Sequence, residues 1–172
     1  MNTSIEGKDG PGKHRTTVER TSDREVVVTR TINGPARIVF EAFAKAELLK
    51  RWWVPRSMGM TLLSCDVDAR VGGTYRLEFD VGGPEPVAFF GTYVEVQPYS
   101  RLAWTNDEGG EGGSVTTVTF EETGGRTLVV LRERYPSKEA LDAAGTGAAE
   151  ALIETFEQLD ELLVALGESA GR

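Results

Sequence analysis

Glu133 and Tyr135 stand at alternate positions of a strand-like segment whose other residues at that spacing are apolar. Because side chains two apart in a strand share a face, we expect a carboxylate and a phenol inside an apolar enclosure. A buried carboxylate needs a partner and can serve as a general acid or base. This pair could anchor a polar ligand group or act as a general acid and base. In the alternative, Glu133 points outward and pairs with an arginine such as Arg132 or Arg134.

Other catalytic arrangements find little support. His14, the one histidine, lies in a polar segment poor in apolar residues, so a Ser-His-Asp or Cys-His arrangement is not predicted. Cys65 is the one cysteine and is interpreted as a small apolar strand residue. Asp66 and Asp68 resemble a metal pair, but without histidine nearby they are interpreted as solvated carboxylates. The sequence therefore predicts no metal site and no cofactor.

The charge is unevenly distributed. The net charge is −8, and between residues 138 and 172 eight acidic residues stand against Lys138 and Arg172. An acidic chain is a poor partner for nucleic acid or an anionic membrane surface, so neither is predicted. No apolar run approaches the ~18 residues of a membrane span, and no signal peptide or disulfide is expected. We therefore expect a cytoplasmic protein that does not insert into membranes.

The final helix is the element most clearly predicted. Residues 146–166 read TGAAEALIETFEQLDELLVAL, with apolar residues every three or four positions. The residues expected to face inward are Leu152, Thr155, Phe156 and Leu159. The opposite face is expected to be acidic and solvated, through Glu150, Glu154, Glu157, Asp160 and Glu161.

The remaining elements are mostly strands. Residues 1–22 hold few large apolar residues and are predicted to form a disordered leader. A β-branched strand over 24–32 precedes a helical segment over 35–53 that is broken near Lys45 or forms two short helices. A short helix capped by Ser137 follows the strands. Six further strands are predicted at 60–66, 74–80, 87–96, 101–105, 115–122 and 126–135.

This order predicts one α+β domain over residues 23–168, with two short helices after the first strand. The short, glycine-rich links favour antiparallel neighbours. One long helix can cover a seven-stranded antiparallel sheet only if the sheet curves around it. Such a curved sheet tends to leave a gap beside the helix, and we expect a cavity there.

Five ordered blocks then identify a family resemblance. They are Trp52 with Trp53, the segment CDVDARVGG at 65–73, GTYVEVQP at 91–98, LAWT at 102–105, and YPSKEA at 135–140 with a later LDEL at 159–162. In order and spacing the chain resembles the bacterial Hsp90-ATPase-activator-homologue-like proteins. That family belongs to the START-like, Bet v 1-like (SRPBCC) helix-grip superfamily. The resemblance implies a helix-grip fold and a superfamily that includes lipid and hormone carriers and aromatase/cyclases.

Together these observations favour a cavity that binds a small hydrophobic or amphipathic molecule. One alternative is an enzyme of the cyclase or dehydratase type that uses Glu133 and Tyr135. At least one of Trp52 and Trp53 is expected to pack the short helices against the sheet. Trp53 is the one expected to face the cavity. An alternative is a stress-associated protein-interaction module without a small ligand, which could form a homodimer. The side chains predicted to line the cavity are Trp53, Tyr75, Leu77, Phe79, Tyr93, Trp104, Glu133, Tyr135, Leu152 and Phe156.

Overall fold

A computed structural model describes residues 5–6, 16–107 and 113–170. Within that part of the chain, nine strands and four α-helices form an α+β fold. The strands are β1 Ile5–Glu6, β2 Thr17–Arg20, β3 Glu25–Ile32, β4 Thr61–Val67, β5 Thr74–Asp80, β6 Val87–Gln97, β7 Arg101–Thr105, β8 Val115–Thr123 and β9 Arg126–Arg134. The helices are α1 Ala36–Ala44, α2 Ala46–Leu49, α3 Lys138–Ala144 and α4 Gly147–Ala170.

The strands pair in one antiparallel, curved sheet in the order β1-β2-β3-β9-β8-β7-β6-β5-β4. Strand β3 therefore joins β9, which lies far from it in sequence, whereas β4 to β9 pair with their neighbours in sequence. The predicted helix-grip fold and all seven predicted strands are confirmed. Helix α4 packs most closely against β2, β3 and α1. That placement leaves room between the helix and β5, β6 and β7.

The predicted leader is wrong for residues 17–20. Strand β2 pairs with β3 through the register Val18 to Val28, and Val18 is fully buried. The low content of apolar residues did not predict this strand. Its order comes from one buried valine together with backbone hydrogen bonds to β3. The two-residue strand β1 extends the same edge of the sheet. His14 lies outside the described residues.

The predicted acidic face of α4 is wrong at Asp160. Arg30 faces inward from β3 with 2 % of its side chain exposed, and it donates to Asp160 Oδ2 through Nε and Nη2 at 2.9 and 2.7 Å. Arg30 also donates to the hydroxyl of Thr16, and the backbone N–H of Asn33 donates to Asp160 Oδ1. Asp160 thus fastens α4 to the sheet, since a buried guanidinium requires an anionic partner.

The short helices close one end of the domain. The chain between α1 and α2 breaks at Lys45, as predicted, and Ser137 caps α3 by accepting from the Ala140 N–H. Trp52 is fully buried and donates from its indole nitrogen to the Ala42 carbonyl at 2.9 Å. Its ring packs against Phe43 with ring centroids 4.8 Å apart. Trp52 therefore joins the short helices to the core, as expected for one of the two tryptophans.

Candidate functional site

A pocket of about 370 Å³ lies between α4, the strands β5 to β7 and the segment that follows α2. Helix α4 contributes the small residues Gly147 and Ala151 near its start, which leave space beside the sheet. Most of the lining is apolar. The lining residues are Phe43, Leu49, Trp53, Val54, Pro55, Met58, Met60, Tyr75, Leu77, Phe79, Phe89, Tyr93, Trp104, Asn106, Glu133, Gly147, Ala151, Leu152 and Thr155.

Three aromatic rings form one wall of the pocket. The ring centroids of Tyr75 and Tyr93 lie 5.8 Å apart, and each lies 6.3 Å from the Trp104 ring. All three contacts are edge-to-face, an arrangement favoured by the ring quadrupoles. Burial raises the pKa of Tyr93, with smaller contributions from Cys65 and Asp68. Tyr93 therefore stays a neutral phenol near pH 7.

A hydrogen-bonded group of side chains lies beside the aromatic wall. The Tyr75 hydroxyl is 2.7 Å from the Thr105 carbonyl and 3.1 Å from Asn106 Oδ1. The Asn106 amide nitrogen donates to the Thr116 hydroxyl at 2.9 Å and also contacts Ser114. These contacts fix the orientation of the Asn106 amide, because its nitrogen faces acceptors.

Glu133 enters the pocket from β9, and Tyr135 supports it from behind. The Tyr135 hydroxyl donates to Glu133 Oε2 at 3.0 Å. Burial raises the pKa of Tyr135 most, followed by the negative charge of Glu133 and the hydrogen bond donated to it. The phenol therefore keeps its proton and orients the carboxylate. Glu133 points inward, half-buried, which decides against the outward alternative.

The segment after α2, which we call the 52–58 loop, forms another wall and is held by α4. Gln158 is buried and donates to the carbonyls of Trp52 and Val54 at 3.0 and 2.8 Å. The same side chain accepts from the Arg56 backbone N–H at 3.0 Å. One helix turn earlier, Glu154 accepts from the backbone N–H and the hydroxyl of Ser57. Polar contacts from one helix thus set the position of the loop that carries Trp53.

The mouth of the pocket is marked by lining residues that reach solvent. Met58 is 59 % exposed and Phe89 is 38 % exposed, and Gly147 at the start of α4 is also exposed. These three come from the 52–58 loop, the sheet and the helix. The rim is therefore mainly apolar, with the helix start at one side.

Eight of the ten residues predicted for the cavity line this pocket, and whether they bind a ligand stays a prediction. They are Trp53, Tyr75, Leu77, Phe79, Tyr93, Trp104, Glu133 and Leu152.

Two predicted lining residues lie elsewhere. Phe156 is fully buried between Phe43 and Trp52, with ring centroids 6.4 and 6.0 Å apart, so it fills the core rather than facing the pocket. Tyr135 lies one residue beyond the end of β9 and directs its hydroxyl to Glu133. Strand alternation and helical spacing place a side chain on one face of its element, but neither says how deep that side chain lies.

Several lining residues escaped prediction for identifiable reasons. Strand β6 is apolar at both parities, and its register with β5 shows that Phe89 and Tyr93 share the inward face with Gly91. A Cβ at Gly91 would clash with the Thr105 carbonyl and touch the Tyr75 ring. A glycine within a strand often marks such a close approach, so Gly91 was the signal for this face.

The described residues form neither a metal site nor an activated cysteine. Among the described residues, no group of three or more His, Cys, Asp or Glu side chains could hold a metal ion. Burial and the neighbouring Asp66 raise the pKa of the Cys65 thiol, and its sulfur lies 3.8 Å from the Ala46 carbonyl. A thiol in that setting is a weak nucleophile.

The geometry defines a helix-grip α+β protein with a pocket between the sheet and the C-terminal helix. A family model described as Activator of Hsp90 ATPase homolog 1-like protein matches residues 33–164. The chain belongs to this family, which confirms the resemblance seen in the five sequence blocks. A comparison with proteins of curated function found no match.

Solved structures of bacterial proteins share the fold. One from Rhodobacter sphaeroides is 21 % identical with a TM-score of 0.78, over 88 % of this chain and 99 % of that one. One from Nitrosomonas europaea is 21 % identical with a TM-score of 0.75, over 87 % and 99 %. One from Mycobacterium smegmatis is 26 % identical with a TM-score of 0.72, over 87 % and 97 %. In the part of this chain that the structure describes, every helix is too short or too polar to cross a membrane.

Proposed function

We propose that the chain binds a small hydrophobic or amphipathic molecule in the pocket between α4 and the sheet. The observation that carries the proposal is a concave, mainly aromatic and aliphatic lining with a few polar side chains at one end. Ligand pockets have this composition, because apolar contact supplies affinity and a few polar groups fix orientation. The lone Cys65 supports action in a reducing compartment such as the cytoplasm.

The size of the pocket supports a ligand of modest dimensions. A volume of about 370 Å³ lies near the lower end of the range of roughly 300–1,000 Å³ typical of small-molecule sites. A site of that size suits one ring system or a medium-length chain. A bilayer-length lipid would have to protrude through the mouth near Met58 and Phe89.

The test uses a neutral fluorophore and two tryptophan substitutions on the same helix. Ala151 lines the pocket, so Ala151→Trp fills it; Val164 is 56 % exposed on α4, so Val164→Trp serves as the matched control. We expect N-phenyl-1-naphthylamine to gain fluorescence with the wild type and with Val164→Trp. The gain should disappear with Ala151→Trp, whose fold is checked by circular dichroism. Equal responses from both folded variants, or no response from the wild type, would contradict the proposal.

The position of Tyr135 supports binding over the cyclase or dehydratase alternative. Its hydroxyl is engaged with Glu133, and it is not among the described residues that line the pocket. With its pKa raised, Tyr135 is also a poor general base at neutral pH. We therefore assign the pair to ligand recognition, with Glu133 in contact and Tyr135 positioning it.

A further inference from the structure

The three tyrosines at the pocket differ in what their hydroxyls contact. The Tyr75 hydroxyl lies 2.7 Å from the Thr105 carbonyl. The Tyr135 hydroxyl donates to Glu133 Oε2 at 3.0 Å. Tyr93 is only 4 % exposed, yet its hydroxyl meets no hydrogen-bond acceptor among the residues that the structure describes. Buried tyrosine hydroxyls usually have a partner, so Tyr93 is the exception in this group.

The pKa values of the two perturbed phenols agree with this difference. Burial and the charge of Glu133 raise the pKa of Tyr135, and the hydrogen bond that Tyr135 donates raises it further. Burial raises the pKa of Tyr93 most, followed by Cys65 and Asp68, and no hydrogen bond is among these causes. Near pH 7 the Tyr93 hydroxyl therefore keeps its proton, and within the described part of the chain that proton has no acceptor.

Two indole groups of the lining resemble Tyr93 in this respect. Trp52, in the core, donates from its indole nitrogen to the Ala42 carbonyl. Trp53 and Trp104 are half-buried at the pocket, and neither indole N–H has an acceptor among the described residues. Trp104 pairs with Tyr93 in the register of β7 with β6, and their rings are in edge-to-face contact. One wall of the pocket therefore carries a phenol and an indole that both have a hydrogen to donate.

The amide donor of the lining is used within the protein. Asn106 directs its amide nitrogen to the Thr116 hydroxyl at 2.9 Å and to Ser114. The O–H of Tyr93 and the N–H of Trp104, by contrast, are neutral donors that face a bound molecule. Neutral donors match a neutral acceptor such as a carbonyl oxygen, because a buried carboxylate is costly unless it is paired with a charge.

We propose that the pocket selects ligands whose polar group is a neutral hydrogen-bond acceptor, a ketone or ester carbonyl, and that the Tyr93 hydroxyl donates to it. The apolar body of the ligand fills the aromatic and aliphatic remainder of the lining. This inference rests on the proposed function and adds the polar group of the ligand to it. A donor that faces a pocket is satisfied by water or by an oxygen of the ligand. A hydrocarbon of the same shape would exclude the water and leave the phenol unpaired, which is costly.

Two probes of matched shape test the inference. The ketone para-butylacetophenone carries a carbonyl oxygen where the hydrocarbon para-butyl-α-methylstyrene carries a terminal methylene carbon. Both compete with N-phenyl-1-naphthylamine for the wild type and for Tyr93→Phe. The ratio of ketone affinity to hydrocarbon affinity is compared between the two proteins, so that the hydration of the free probes cancels. We expect Tyr93→Phe to lower this ratio about tenfold, a change of about 1.4 kcal/mol.

The matched control is Tyr99→Phe. Tyr99 is 47 % exposed and lies outside the described lining, so this variant removes the same hydroxyl away from the pocket. It should keep the wild-type ratio. A ratio that is unchanged in Tyr93→Phe, or lowered equally in Tyr99→Phe, overturns the inference.

The carbonyl stretching band of the bound ketone supplies a measurement on the wild type alone, which does not depend on the folding of a variant. A hydrogen bond from Tyr93 should lower the frequency of this infrared band relative to the ketone in hexane. In folded Tyr93→Phe the band should return toward its position in hexane. A band at the hexane position in the wild type overturns the inference.

The outcomes separate the inference from the function it builds on. Displacement of the fluorophore by both probes, with the same affinity ratio in the wild type and in Tyr93→Phe, overturns the carbonyl preference while the binding function stands. Displacement by neither probe, together with no fluorophore binding, overturns both.

Discussion

Among the ion pairs in the described part of the chain, Arg30–Asp160 should be the one whose loss lowers the free energy of unfolding most, and Asp160→Ala measures that loss. Arg30 is buried, with 2 % of its side chain exposed, and Asp160 is 19 % exposed. Removing the aspartate takes a carboxylate that accepts two hydrogen bonds away from a buried guanidinium, and it also removes the acceptor for the Asn33 N–H. The lost contacts join α4 to β3, the two elements that must stay together for the pocket to exist.

The desolvation of a buried charge sets the size of the effect. Removing one partner of a buried ion pair costs about 3–5 kcal/mol, because the remaining charge stays desolvated. The matched control is Glu161→Ala, one residue further along α4. Glu161 and Arg56 form an ion pair of similar length, 2.9 Å, but are 59 % and 65 % exposed, so solvent screens it. Exposed pairs contribute about 0–1 kcal/mol.

Urea unfolding followed by circular dichroism supplies the free energy of unfolding for each variant. We expect Asp160→Ala to lose several kcal/mol and Glu161→Ala to stay close to the wild type. The double variant Arg30→Met with Asp160→Leu should regain most of the loss, since it removes both charges of this pair together. A loss for Asp160→Ala no larger than that for Glu161→Ala would refute the reasoning.

Three further predictions concern the strands, the phenols and the loop. Gly91→Ala should cost about 1–3 kcal/mol in urea unfolding, since its Cβ would clash with a β7 carbonyl; Gly83→Ala, with open space around it, should change little. Because the pKa values of Tyr93 and Tyr135 are raised on folding, their contribution to stability is complete below the unfolded pKa of about 10 and falls as the pH rises above it. Tyrosine absorbance during alkaline titration, repeated with Tyr93→Phe and Tyr135→Phe, checks that these two phenols ionise at a higher pH in the folded protein than in the unfolded chain. Gln158→Ala should cost about 1–3 kcal/mol and speed amide hydrogen exchange in the 52–58 loop, because buried carbonyls lose their donor; unchanged exchange would contradict the anchoring role.

The fold could be predicted because its signals are local and repetitive. The two-residue alternation of Tyr75, Leu77 and Phe79 and the three-to-four spacing in α4 each placed a whole element on the correct face. The short strand β2 could not be predicted in this way, since Val18 alone carries its burial and the remainder of its stability comes from pairing with β3.

Only some of the residues at the site could be predicted from the sequence. Glu133 was placed by alternation, yet its choice of face depends on pairing with Thr116 and Val26, which sequence spacing does not reveal. Asp160 looked like one more acid on a solvated face, because its partner Arg30 lies 130 residues away in the chain. The lining residues Val54, Pro55 and Met58 of the 52–58 loop were missed for the same reason, since Gln158 positions this loop from α4.

The three tryptophans allow the central claim, ligand binding in this pocket, to be tested in one measurement. Trp53 and Trp104 line the pocket, whereas Trp52 is buried outside it with its indole N–H bound to Ala42. In a proton–nitrogen correlation spectrum, titration with decanol or decylamine should move the indole signals of Trp53 and Trp104. The Trp52 signal should move least. Shifts confined to Trp52, or no shift in any of the three signals, would contradict the account.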